Sequence, residues 1–216
     1  MHTLDQGLLA LSAALPESSW ESLADMPIGQ RNKTLLALRT QCFGEQMGGI
    51  AECEACGEEL EFTLNSATLE ASPAADREHR ICIGGRTYRL PTSRDLAIAA
   101  HEADAGNAAL RLLESCKVSG EEMADMLERQ MDIIGEQMAL ADPAADILLT
   151  LSCARCGHRW DEPLDVTTFL WTELDARARR LLADVHELAF AYGWTERDIL
   201  SLGEHRRAGY LQMVRA

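Results

Sequence analysis

Residues 50–57, Ile50-Ala51-Glu52-Cys53-Glu54-Ala55-Cys56-Gly57, and residues 151–157, Leu151-Ser152-Cys153-Ala154-Arg155-Cys156-Gly157, carry the same unit twice. In each, an apolar stretch runs into Cys-x-x-Cys-Gly. After the first pair, Leu60, Phe62 and Leu64 alternate with polar residues, the period of a half-buried strand. Ile147 to Leu151 reads as a strand entering the second pair, which leaves through His158 toward Leu164. Each unit is therefore predicted to be strand, cysteine turn, strand. A two-residue gap lets a tight turn aim both sulfurs at one point. The following glycine lets the backbone turn back so that its N–H groups approach sulfur.

Four thiolates suit a tetrahedral metal ion and leave no open coordination position. Cys53, Cys56, Cys153 and Cys156 are accordingly predicted to bind one structural zinc ion. The pairs stand 96 residues apart, whereas an ordinary zinc ribbon separates its knuckles by about 15–20. The longer gap is tolerable because loop-closure entropy grows only logarithmically, and because the intervening sequence itself reads as folded. A thioredoxin-like redox pair is the competing reading, but that chemistry places its cysteines at a helix N-terminus, and here a strand follows each pair. A closed shell activates no water, so the site predicts no catalysis. His158, two residues from Cys156, is expected at the surface. Cys42, Cys82 and Cys116 are expected to be small buried residues.

Around these units the sequence leans toward helix. The 216 residues are 47% hydrophobic and 25% charged but only 5% aromatic. Short helices over 3–15 and 17–26 are split by Pro16, and Pro27 opens a stronger one from about Ile28 to Phe43. Residues 65–79 read as a loop. Ile81, Ile83, Tyr88 and Leu90 flank Gly84-Gly85, which predicts a tight hairpin. Thr92 with Asp95 three residues later resembles a helix cap, and helices are expected near 93–104 and 107–117. Ser119-Gly120-Glu121-Glu122 looks like a second capping box. It opens a helix whose Met123, Leu127, Met131, Ile134 and Met138 form an apolar stripe, read as core, with a methionine-rich docking face as the sharper alternative. Asp165 can cap a long helix over 166–192, with Glu173–Arg177 and Asp175–Arg179 as ion pairs on its wet side. Thr195 caps a short helix near 196–201, and a last one covers 204–214.

The formal net charge is −15. Residues 95–146 hold twelve acidic and three basic side chains, a balance of −9, whereas 166–216 is neutral. No basic face is evident, which disfavours nucleic acid as a partner. The arginines at 177, 179, 180, 206 and 207 have acids beside them and read as salt-bridged helix surface. The N-terminal leucines follow no basic residue, so no secretory signal is expected, and no apolar run is long enough for a transmembrane helix. A cytoplasmic protein without membrane contact is predicted. Phosphate-binding loops, dinucleotide fingerprints and nucleophile elbows are missing. His101-Glu102 and His186-Glu187 begin like a metalloprotease motif, but Ala105 and Phe190 stand where the second histidine would be.

Several stretches carry a resemblance. Two Cys-x-x-Cys-Gly knuckles flank Leu90-Pro91-Thr92-Ser93-Arg94-Asp95-Leu96. Beyond them come Phe169-Leu170-Trp171-Thr172-Glu173-Leu174-Asp175, then Tyr192-Gly193-Trp194-Thr195-Glu196-Arg197-Asp198-Ile199-Leu200, and a Tyr210-Leu211 ending. From about Ile28 to Val214 the chain resembles zinc-knuckle proteins associated with contractile phage tails and tail-derived injection systems. That group is distantly similar to T4-type baseplate hub assembly chaperones. The resemblance implies an assembly factor or small baseplate component whose partners are baseplate or hub proteins, with the four cysteines in a structural role.

The expectation is an α+β protein, mostly helical, with a zinc ribbon built from two sequence-distant knuckles. Its divisions are N-terminal helices at 1–45, a first knuckle at 46–64, an inserted hairpin and acidic helical segment at 65–145, a second knuckle at 146–164, and C-terminal helices at 165–216. Its expected function is non-catalytic assembly through protein–protein contacts. The alternatives are a zinc-ribbon regulator touching nucleic acid or the transcription apparatus, and a thiol-redox protein.

Overall fold

The structure, a computed structural model, describes residues 2–70, 75, 78–120 and 128–215, the side chain of Glu128 excepted. It is α+β, with helices and small antiparallel sheets. Two compact parts emerge, one ending at Thr168 and the other running from Phe169.

The first part begins with α1 (Thr3–Ala14), α2 (Trp20–Ala24) and α3 (Ile28–Phe43). Ser19 caps α2 by accepting from the Ser22 N–H. Helix α1 packs on α3, and Leu11, Leu35 and Leu36 are buried. The first cysteine unit is the hairpin β1 (Gln46–Glu52) and β2 (Glu59–Asn65), followed by a short helix α4 (Ser66–Glu70) inside the segment read as loop. The second unit is the hairpin β6 (Leu148–Ser152) and β7 (Arg159–Pro163).

Between the knuckles lie β3 (Arg80–Ile83) and β4 (Arg86–Arg89), α5 (Ser93–Ala99), α6 (Ala105–Cys116), β5 (Lys117–Ser119) and α7 (Glu128–Ala141). Gly84 and Gly85 take φ of +58° and +75°, the left-handed values that a two-residue hairpin turn needs. Strand β5 adds itself to β4, so residues 117–119, expected as helix end and helix cap, form a third strand instead. The rest of that expected capping box, with Met123 and Leu127, lies outside the described residues. The remainder of the stripe is core: Ile134 and Met138 are buried with Tyr88, Leu113 and Cys116, and Met131 packs against them.

The Leu90–Leu96 segment is where the insertion meets α3. Pro91 accepts a hydrogen bond from the Ile28 N–H, and Thr92 and Asp95 close a capping box on α5. Asp95 is 1% exposed and takes two bonds from Arg89, at 2.6 and 2.7 Å. Burial disfavours its carboxylate, but hydrogen bonds from Arg89, Thr92 and Ser115 outweigh that and hold the carboxyl down at about 2. A second buried acid caps α3 from far away in sequence: Asp142 accepts from the Gly29 N–H at 3.0 Å and from the Ala75 N–H at 3.2 Å. Asn32 donates to the carbonyl of Ala144, and Arg31 donates to Asn32 and Ser93. Burial lowers the Arg31 pKa, against the pull of Asp165.

Helix α8 (Val166–Tyr192) crosses from the first part into the second, and Asp165 caps it by accepting from the N–H groups of Thr167 and Thr168. The second part adds α9 (Glu196–Ser201) and α10 (Glu204–Arg215). Leu188, Ile199 and Leu211 form its core, and Trp194 and Tyr210 meet edge to face at 4.8 Å. Asp175 pairs with Arg179 as expected, at 2.7 Å, but Arg177 reaches Glu204 at 2.8 Å across to α10.

Candidate metal centre

Each Cys-x-x-Cys-Gly closes its hairpin in the same way. Ala51 pairs with Leu60 across the first ladder, and Leu151 pairs with Trp160 across the second. The Cys53 N–H donates to the Glu58 carbonyl at 2.9 Å, and the Gly57 N–H returns to the Cys53 carbonyl at 2.8 Å. In the other knuckle the Cys153 N–H donates to His158 and the Gly157 N–H to Cys153, both at 2.9 Å. Gly57 and Gly157 take φ of +67° and +76°. Residues with a Cβ rarely adopt that left-handed conformation, so glycine after the second cysteine follows from the turn itself.

The hairpins converge. Ala51, Cys53, Cys153 and Trp160 form one buried cluster, with Leu60, Phe62 and Leu151 packed against it. Six of these form three counterpart pairs, since Leu151, Cys153 and Trp160 occupy in the second hairpin the places of Ala51, Cys53 and Leu60 in the first. The cluster is a small apolar seam between two copies of one motif. The tip of the Phe62 ring covers Gly49, directly opposite it in the ladder, where a Cβ would stand 2.4 Å from Cζ. An ion pair joins the rims, Arg155 to Glu58 at 2.8 Å.

This packing brings all four thiols together. Every sulfur lies within 4.8 Å of the other three. Two contacts run between knuckles, Cys53 to Cys156 and Cys56 to Cys153, each at 3.7 Å. Such separations are far too long for a disulfide, whose sulfurs stand about 2.05 Å apart. They match the edge of a tetrahedron around a thiolate-bound metal, since bonds of about 2.3 Å set sulfurs about 3.8 Å apart. The four cysteines could therefore hold one metal ion. Cys53 and Cys153 are buried on the seam, and Cys56 and Cys156 close the outer side. The backbone prepares the sulfurs for the anionic state. N–H groups of Cys156 and Arg155 favour the Cys153 thiolate and bring its pKa down to about 7. The Glu58 N–H likewise favours the Cys56 thiolate, but desolvation and the neighbouring thiols Cys156, Cys153 and Cys53 outweigh it and push that pKa up to about 12. Four thiols packed this closely cannot all ionise together without a cation among them.

The remaining cysteine and histidine expectations divide. Cys116 is buried, and desolvation raises its pKa to about 12. Cys42 and Cys82, expected inside, are exposed; both sit on elements with one face in solvent. His158, expected at the surface, is half-buried and stacks on Trp160 with ring centres 5.8 Å apart. Trp160 and Ala51 as packing residues of the centre were not singled out from sequence. The signal was available: they stand at the inward positions of strands adjoining each cysteine turn. No helix of the described residues is long and apolar enough to cross a membrane. Compared with protein-family models, curated proteins and solved structures, the chain gives no match.

Proposed function

We propose that the four cysteines hold one zinc ion in a zinc-ribbon-like centre, and that the chain is a non-catalytic assembly factor working through protein–protein contacts. The single observation behind this reading is the closed thiol cluster. Zinc is the divalent ion best suited to four thiolates without redox chemistry, and a complete sulfur shell leaves no position for substrate or activated water. Its role is then to join two hairpins that are far apart in sequence and so to fix the elements between them. The site of action is a contractile phage-tail-like baseplate or hub. Support for that part comes from the order of motifs, from the Cys-x-x-Cys-Gly pairs through Leu90–Leu96 to the Tyr192–Leu200 stretch. The acidic balance of residues 95–146 supports a protein partner over nucleic acid.

Affinity pull-down from the native host at moderate salt tests the assembly reading. Recovery of tail-tube, hub or baseplate proteins is the expected result. Recovery of polymerase subunits or nucleic acid without tail proteins would sink it and favour a transcriptional regulator. Metal analysis of the purified protein tests the centre, with one zinc per chain expected.

A further inference from the structure

Helices α6 and α7 share a core through Leu113, Ile134 and Met138, yet beside that core they leave a cleft of about 730 Å³. Its walls carry Gly106 and Ala109 from α6 and Gly135 and Ala139 from α7. Gly135 is the informative one. It lies inside a helix, its φ is not positive, and a Cβ placed there would meet nothing within 4 Å. A Cβ on Gly106 would meet only Asp104 Oδ1, at 3.3 Å. Neither backbone conformation nor crowding among the described residues calls for glycine at 135. An interior helix glycine nonetheless costs about 1 kcal/mol relative to alanine. What the missing side chain does provide is the depth of the cleft.

Among the described residues, the charged side chains that line it all have one sign. Asp132, Glu136 and Asp146 line the cleft beside the buried Asp142, and no described lysine, arginine or histidine does. None of these three carboxylates has a hydrogen-bonding or ion-pair partner among the described residues. The same segment carries the acidic excess of the whole middle region.

We propose that this groove takes an amphipathic helix of a partner protein, with alanine- or leucine-sized side chains on its apolar face and lysine or arginine on its flanks. Small residues on both walls let a third helix approach closely. An apolar floor accepts its apolar stripe, and the carboxylates of Asp132, Glu136 and Asp146 select the basic flanks. The inference rests on the reading of the chain as a protein-binding factor, and it is independent of the tail assignment.

The test is fluorescence anisotropy with the whole 216-residue chain, loaded with zinc. The probe is a labelled helical peptide of about four turns, with Ala and Leu on one face and Lys along both flanks. Its control has Glu in place of every Lys. Saturable binding of the Lys peptide that weakens with added salt is expected, with none for the Glu peptide. Gly135→Leu fills the groove with a good helix former and should weaken binding by about tenfold or more. Ala109→Leu on the facing helix is the second variant should the first misfold, and circular dichroism reports the fold of both. Neutralising the rim with Asp132→Asn and Glu136→Gln should weaken binding and flatten its salt dependence. The proposal is overturned by any of three results. These are no saturable binding of the Lys peptide, binding unchanged in both groove-filling variants, or a dimer of the chain that the same variants dissociate, which would make a second copy the occupant. Failure of the tail reading is a separate event, because a pull-down without tail proteins leaves a positive peptide titration standing.

Discussion

At the scale of single residues, two alanine substitutions in helices should move stability in opposite directions. Gly29 sits in the first turn of α3, and a Cβ there would stand 1.9 Å from Asp142 Oδ1. Gly29→Ala should therefore expel the Asp142 cap and cost about 2–4 kcal/mol in urea unfolding, where helix propensity alone predicts a gain. Gly135→Ala meets open space and should stabilise by up to about 1 kcal/mol. Asp95 makes a prediction in pH. Its folded carboxyl titrates at about 2, below an unfolded value of about 3.9. The stabilisation is thus complete above about pH 4 and is lost as pH falls through the folded value, an effect on the order of 2 kcal/mol. Asp95→Asn should remove that acid-range dependence and destabilise the chain at neutral pH. Denaturant melts across the range from pH 7 to pH 2 distinguish the two proteins. For the centre, Cys53→Ser should abolish stoichiometric metal binding and lower the melting temperature by about 10 °C or more, whereas Cys42→Ser should change neither. Unchanged metal content in Cys53→Ser would remove the shared site.

Among the elements, the two cysteine hairpins depend on each other. Each is a lone two-stranded ribbon, and such a ribbon is marginal in water by itself. Their shared seam of Ala51, Cys53, Cys153 and Trp160 is small, so a metal held by the four sulfurs would supply much of the adhesion between them. The Arg155–Glu58 pair across the rim is largely exposed and should contribute little, so Arg155→Ala is expected to cost less than about 1 kcal/mol. Helix α8 depends on its own start. Asp165 accepts from two of its first N–H groups and from the Thr168 hydroxyl. Asp165→Ala should cost about 1 kcal/mol in equilibrium unfolding.

For the molecule as a whole, metal removal should be felt unevenly. A metal held by Cys53, Cys56, Cys153 and Cys156 would tie the two knuckles together and close a loop through the sequence between them. The C-terminal helices have a core of their own in Leu188, Ile199 and Leu211, with the Tyr192, Trp194 and Tyr210 rings beside it. Chelation should strip hydrogen-exchange protection from β1, β2, β6 and β7 first and loosen the segment between them, while amides of α8 beyond residue 185 and of α10 keep theirs. Uniform loss of protection along the chain would show that the two parts unfold as one.

Local chemistry made the first layer of this protein legible from its sequence. The cysteine turns, the Gly84-Gly85 hairpin, the Thr92 and Thr195 helix caps and the start of α3 at Pro27 are each specified within a few residues, by turn geometry, φ restrictions and caps, and all of them stand where the sequence placed them. The repeated Cys-x-x-Cys-Gly also pointed to a shared centre, because ligand type and spacing belong to the chain itself. Tertiary structure alone decided which surfaces meet. Asp142 caps a helix that begins more than a hundred residues earlier, Trp160 completes the seam beside the thiols, and β5 forms where a helix end was expected because β4 offers it an edge. The α6–α7 groove is of the same kind, since glycine at 135 reads only as a weak helix residue until the facing wall is known. Such choices depend on partners distant in sequence. Their energies come from burial, from satisfying buried polar groups and from the space left between packed helices, and no local pattern records them.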